Sequence, residues 1–254
     1  MSGGHAHSLH IHGHSLLHKL SPEVKIAAML GGILAIVLTP REQFWAFGVY
    51  GLTVILLLGI GEIPLGFYLR RVLIEAPFVA FAVFLPFLGS EPTTTLAGLE
   101  VSIEGSWAAW NILAKATLGV SLSIVLAATT EIPHILKGLE RLRVPSLMIA
   151  IAGFMIRYLD VVTSELQRAR IAMTARGHDA RWFWQARPHA TSAGAMFIRA
   201  YERGERIHAA MLARGFDGSM PMIDAPGIGR ARWELAAGFA GGLWIVAATA
   251  MVVA

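Results

Sequence analysis

Residues 107–128 read WAAWNILAKATLGVSLSIVLAA, a run of 22 residues with a single charge, Lys115. A bilayer core about 30 Å thick is crossed by roughly 20 apolar residues in an α-helix. The run is long enough. It opens on Trp107 and Trp110, whose rings favour the headgroup layer. This stretch is therefore read as a transmembrane helix, and the chain as a membrane protein. Similar blocks lie on either side, at 24–39, 44–60, 72–89 and 235–254. The expected fold is all-α, with about five transmembrane helices. Composition agrees: 55% of the 254 residues are hydrophobic and 15% are charged. There is no cysteine, which excludes a disulfide framework and a thiolate metal site. The polar, histidine-rich start lacks the pattern of a removable leader.

Basic residues mark the cytoplasmic side of a membrane. Arg70 and Arg71 lie in the segment 61–71, and Lys137, Arg141 and Arg143 in 129–146. The segment 157–234 holds 12 arginines against 8 acids. By contrast, 90–106 has Glu91, Glu100 and Glu104 and no Lys or Arg. The segment 90–106 is therefore expected outside, and the other three inside. The N-terminus is then cytoplasmic and the C-terminus outside. Residues 146–163 (SLMIAIAGFMIRYLDVVT) are apolar only for about ten residues before Arg157 and have basic flanks. They are read as a helix at the cytoplasmic interface rather than a sixth crossing. The layout is a His-rich cytoplasmic tail at 1–23, transmembrane helices at 24–128, a cytoplasmic module at 129–234 and a last transmembrane helix at 235–254.

Within that module a motif occurs twice. Residues 171–181 read IAMTARGHDAR and residues 209–219 read AAMLARGFDGS, identical at six aligned positions. Each copy closes a predicted long helix, over about 159–176 and 192–214, the second opening on Ser192 as its cap. Met196, Ala200, Gly204, Ile207 and Met211 share one face of that second helix. Gly177 and Gly215 fall just past the last turn, where a left-handed residue ends many helices. Capping explains the glycines. It leaves the paired Ala175-Arg176-Gly177 and Ala213-Arg214-Gly215, with their Met and Asp, unexplained. Two equivalent partner surfaces would explain those.

Other features carry two readings each. Glu62-Ile63-Pro64 and Glu131-Ile132-Pro133 suit the start of a new helix, with Thr129 or Thr130 as cap, or a hinge. Gly238, Gly241 and Gly242 make one side of the last span small, for packing or for a sliding contact. Glu75 and Lys115 are charges inside apolar blocks. His5, His7, His10, His12 and His14, with His18, are weak metal-binding candidates or a solvated tail. No phosphate-binding G-x-x-x-x-G-K-[ST] loop occurs, so ATP would have to bind another chain. A stand-alone secondary metal transporter would need several ionisable groups at mid-membrane depth, and nearly none are found. A membrane-bound enzyme would need a spaced Asp, His or Arg constellation at the bilayer edge. A receptor or scaffold without transport is the third alternative.

Paired Ala-Arg-Gly signatures on cytoplasmic helices of a small membrane protein resemble the transmembrane (T) component of energy-coupling-factor (ECF) transporters. The stretch LHKLSPEVKIAAML supplies the family's Leu-x-Pro-x-x-Lys lead-in at Leu20, Pro22 and Lys25. With HSLLH at 14–18 and MLARGFDGSMP at 211–221, the chain is most similar to the CbiQ family of cobalt systems, with nickel relatives close by. The resemblance implies a non-catalytic subunit of an ATP-driven importer in the inner (plasma) membrane, supplying cobalamin synthesis. It implies no cofactor on this chain. ATP and Mg would bind two CbiO-like ATP-binding-cassette subunits, and cobalt a CbiM-like capture subunit beside a small CbiN-like one. Lipid would be the other partner, and nucleic acid none. Each Ala-Arg-Gly end would dock on one ATPase subunit.

Overall fold

The computed structural model describes residues 15, 17, 18, 20–88, 93–96, 99–178, 187–216, 218 and 231–253. Its elements in chain order are α1 (Pro22–Leu38), α2 (Phe44–Ile60), α3 (Leu65–Val72), a 3-10 turn (Leu73–Glu75) and α4 (Ala76–Leu88). A short hairpin, β1 (Thr93–Leu96) and β2 (Leu99–Ser102), follows. The chain then forms α5 (Ile103–Thr129), α6 (Ile132–Arg141), α7 (Ser146–Ala175), α8 (Arg187–Leu212) and α9 (Ala231–Val253). The protein is an all-α membrane protein; among the described residues it has one small antiparallel hairpin, in which Thr93 pairs with Ser102 and Leu96 with Leu99. Among the described residues, three helices are long and apolar enough to cross a membrane: Ile103–Thr129, Ser146–Ala175 and Trp233–Val253. Phe44–Ile60 is a shorter apolar helix.

Elements α1 to α6 and α9 form one compact body, and α7 with α8 a second. In the first body α1 is central, packed on α9, α5 and α6. Ile36, Tyr50, Leu122 and Val125 are fully buried there. The Tyr50 hydroxyl lies 2.9 Å from Thr39 Oγ1 and 3.4 Å from the Leu243 carbonyl, so its polar tip is satisfied among α1, α2 and α9. Large apolar side chains cover the outside instead. Ile55, Ile74 and Phe84 are more than 60% exposed. A soluble domain rarely shows such continuous apolar surface, whereas lipid is a good solvent for it.

The block 72–89 is not one helix. It divides at the 3-10 turn Leu73–Glu75 between α3 and α4. Pro77 has no N–H to return to the carbonyl four residues back, so the α-helical ladder lapses there. Helix α5 starts four residues before the apolar run, because the Ser102 Oγ accepts the Gly105 N–H at 3.2 Å. At its other end the Thr129 carbonyl is one of the last four without a helical donor. The Lys25 Nζ donates to it at 2.8 Å. Arg141 Nη1 meets Glu23 Oε1 at 3.0 Å. The Leu-x-Pro-x-x-Lys lead-in thus ties the start of α1 to the end of α5 and to α6.

Two expectations about caps and packing need correction. Neither Thr129 nor Thr130 caps α6. Its N-cap position is Glu131, Thr129 Oγ1 donates back to the Val125 carbonyl, and Thr130 Oγ1 is buried without a partner among the described residues. Pro133 and Pro64 do stand where helices begin, Pro133 in the first turn of α6 and Pro64 at the N-cap of α3. The α9 glycines Gly238, Gly241 and Gly242 touch nothing where a side chain would stand. The close α1–α9 approach is made on the other helix: a Cβ on Gly32 would lie 2.9 Å from Leu243 Cδ1.

Candidate functional site

In the second body, the stretches read at 146–163 and 159–176 are one continuous 30-residue helix, α7. Its apolar first half and charged second half have different compositions but an unbroken backbone ladder. Its length and composition are also those of a membrane crossing. Helix α8 begins at Arg187, so Ser192 lies inside it and is no cap. Pro188 fits the first turn, where a missing N–H breaks no helical bond.

Both helices end in the same hydrogen-bonded cap. At the end of α7 the His178 N–H donates to the Met173 carbonyl (3.0 Å) and the Gly177 N–H to the Thr174 carbonyl (2.9 Å). At the end of α8 the Phe216 N–H donates to the Met211 carbonyl (3.0 Å) and the Gly215 N–H to the Leu212 carbonyl (3.0 Å). This nested pair is the Schellman arrangement. It requires a left-handed residue, and Gly177 and Gly215 have φ of 77° and 82°. The motif brings together the residue after the glycine and the residue four before it. Those are His178 with Met173 and Phe216 with Met211. In each copy these two are half-buried while the four residues between them are exposed. The repeated Met supplies the carbonyl that accepts the outer bond of each cap, a place sequence reasoning missed. Knowing the cap's hydrogen-bond pattern, rather than the glycine alone, would have found it.

What capping leaves over is the arginine. Arg176 and Arg214 are exposed, and among the described residues neither is paired with an acid. Each stands at a helix end whose carbonyls carry partial negative charge. The surface they offer is a planar fork of N–H donors on a rigid rod. Ala175 and Ala213, also exposed, keep the ground beside each fork flat.

The two copies stand at opposite ends of an antiparallel helix pair. Met173 and Arg176 share a hollow of about 520 Å³ with Pro188, Ser192 and Ala195 at the start of α8. Met211, at the other end of α8, shares a groove of about 370 Å³ with Phe154 and Tyr158 of α7. From Ala195 to Ala213 a helix rises about 27 Å. The predicted α8 face, Ala200, Gly204, Ile207 and Met211, lines this groove. Glu165 and Arg203 join the helices midway by an ion pair, with side chains 14% and 31% exposed. Reversing one charge, as in Arg203→Glu, is expected to lower stability modestly. Adding Glu165→Arg should recover most of it. Thermal unfolding in detergent checks both steps.

The remaining candidates separate from this site. Lys115 Nζ donates to the Val37 carbonyl at 2.7 Å, closing the last turn of α1. Glu75 sits at the α3–α4 break, buried, with Oε1 unpartnered among the described residues. His5, His7, His10, His12 and His14 lie outside the described residues, as do Asp179 and Asp217. Among the described residues no group of three His, Asp or Glu could hold a metal ion.

Comparison with known proteins gives this arrangement its context. A family model described as CbiQ, cobalt transport protein, matches residues 13–223. The cobalt transport protein CbiQ of Rhodobacter capsulatus is 28% identical over 165 residues, 64% of this chain and 65% of that one. The energy-coupling factor transporter transmembrane protein EcfT of Ruminiclostridium cellulolyticum is 25% identical over 226 residues, 83% of each chain. A protein of Methanocorpusculum labreanum named as a fused cobalt transport protein CbiMQ is 28% identical over 116 residues, 46% of this chain and 19% of that one.

Proposed function

The chain belongs to the CbiQ family of cobalt transport proteins, membrane T components of the ECF type, and we propose that it is the mechanical link between two ATPase subunits and a membrane capture subunit. One observation carries this reading: two identical caps present two exposed arginines at opposite ends of one helix pair. A single partner surface needs one such end. A pair of equivalent ATP-binding-cassette subunits needs two, spaced as rigid helices space them.

In this reading each ATPase subunit presents acidic or carbonyl groups to one guanidinium, held in a fixed geometry by paired hydrogen bonds. Closure of the ATPase pair on ATP and Mg then moves both anchored tips. Helices α7 and α8 carry that displacement, because a helix transmits an end movement without absorbing it in flexible backbone. ATP hydrolysis belongs to the partners, and this chain is no enzyme.

The transported ion is substrate, held by a CbiM-like capture subunit with a small CbiN-like one beside it. The fused CbiMQ relative supports that pairing, since its name joins the two parts in one chain. Cobalt is favoured by the names of the family and of the Rhodobacter relative, with nickel the second choice. Cobalt uptake would supply cobalamin synthesis. The positive-inside pattern supports a plasma-membrane topology with the N-terminus cytoplasmic and the C-terminus outside.

Purification of the tagged chain after co-expression with the ATPase and capture subunits tests the reading. Two ATPase subunits and one capture subunit per chain are expected by native mass measurement. A chain that purifies without ATPase refutes the proposed role.

A further inference from the structure

Two imidazoles meet beside the first coupling end. His178 follows Gly177 in the α7 cap, and His189 lies in the first turn of α8. Their ring centroids are 5.4 Å apart, with the planes inclined at 52°. His178 Nε2 is enclosed and, among the described residues, has no hydrogen-bond partner. A buried ring nitrogen without a partner is uncommon, because it has given up water for nothing.

We propose that His178 and His189 together chelate one divalent transition-metal ion, with water or another donor completing its shell. Imidazole is a preferred ligand for zinc, copper, nickel and iron, and suits cobalt alike. The spacing fits. A metal–nitrogen bond of about 2.0–2.1 Å, with the ring centroid about 1.1 Å behind the nitrogen, places the ion about 3.2 Å from each centroid. A tetrahedral angle at the ion then separates the centroids by about 5.2 Å. With the ring proton on Nδ1, the enclosed Nε2 offers its lone pair to the ion.

The consequence is local. A bound ion ties the first turn of α8 to the cap that carries Arg176. The second cap has Phe216 where the first has His178, so only one of the two coupling ends can be fastened in this way. The site stands on this geometry alone. On the proposed topology it faces the cytoplasm, and the link to transport rests on that reading.

The test uses the full chain in detergent with cobalt(II) alone as probe. His5, His7, His10, His12, His14 and His18 are all replaced by Asn, so that the tail cannot compete. One cobalt per chain is expected by calorimetry, with a visible spectrum of nitrogen ligation. His178→Phe copies the residue of the second cap and so keeps the fold. His189→Ala alters an exposed position. Each is expected to weaken binding by about tenfold or more, at least the loss seen when an outer-shell partner is removed. Absence of binding in the tail-replaced protein, or affinity unchanged in both single variants, overturns the proposal. Neither result touches the ATPase-docking role, which the co-purification reports separately.

Discussion

Charge reversal at both coupling ends, Arg176→Glu with Arg214→Glu, is expected to abolish ATPase association and metal uptake while leaving the fold intact. Both side chains are exposed, and among the described residues neither holds an acid. Thermal unfolding in detergent should be unchanged. The cost falls on the interface. Truncating one member of a buried, hydrogen-bonded charge pair typically removes about 2–5 kcal/mol, and reversal adds repulsion. At 1.4 kcal/mol per tenfold, each reversal should weaken its own contact by roughly 30-fold or more.

Single variants should be informative because the ends are separate. Each keeps one anchored tip, so the complex loses avidity rather than every contact. Partial co-purification with severely reduced uptake is the expected outcome for either one. Lysine at both positions should rescue association in part, since it restores charge but not the planar fork. ATPase recovery from the double glutamate variant at the level of the parent chain would show that these arginines are ordinary surface residues.

Much of the fold was legible because a membrane helix is written in average composition. The block 44–60 coincides with α2, and 107–128 lies inside α5. What averaging cannot show is where the backbone ladder fails or continues. Pro77 sits in an apolar run, so 72–89 looked like one span although the missing N–H divides it. The opposite happened at 146–175, where a change from apolar to charged side chains suggested two segments on an unbroken helix. Packing partners were hidden for a related reason. Glycines on α9 and on α1 look alike in sequence, and only the approach of Leu243 selects Gly32. At the site, the glycine and the arginine of each motif were visible. The place of Met173 and Met211 was not, because it depends on a backbone hydrogen bond across the cap. The pairing of His178 with His189 was equally hidden, since a segment of chain separates them.

Gly138→Leu is expected to separate α6 from α1 and to destabilise the first body severely. The argument is one of space. A Cβ at Gly138 would stand 2.8 Å from Ile26 Cδ1, 2.9 Å from the Glu23 nitrogen and 3.0 Å from the Pro22 carbonyl carbon. Ile26 can change rotamer. The two backbone atoms cannot move without shifting the start of α1, and that start carries Lys25 on the Thr129 carbonyl and Glu23 on Arg141. Alanine in place of a helical glycine gains about 1 kcal/mol of propensity. Overpacking costs about 1–3 kcal/mol, so Gly138→Ala should lose modestly and leucine much more. Gly119 supplies the contrast. It also lies within a helix, but nothing occupies the place of its side chain, so Gly119→Ala should be neutral or slightly stabilising. Thermal unfolding of the four proteins in one detergent measures the order. If Gly138→Leu melted with the parent chain, the α1–α6 contact would not be the close backbone approach described here. The order expected is Gly119→Ala at or above the parent, Gly138→Ala below it, and Gly138→Leu lowest, because the penalty follows the volume forced between two backbones rather than the loss of a glycine.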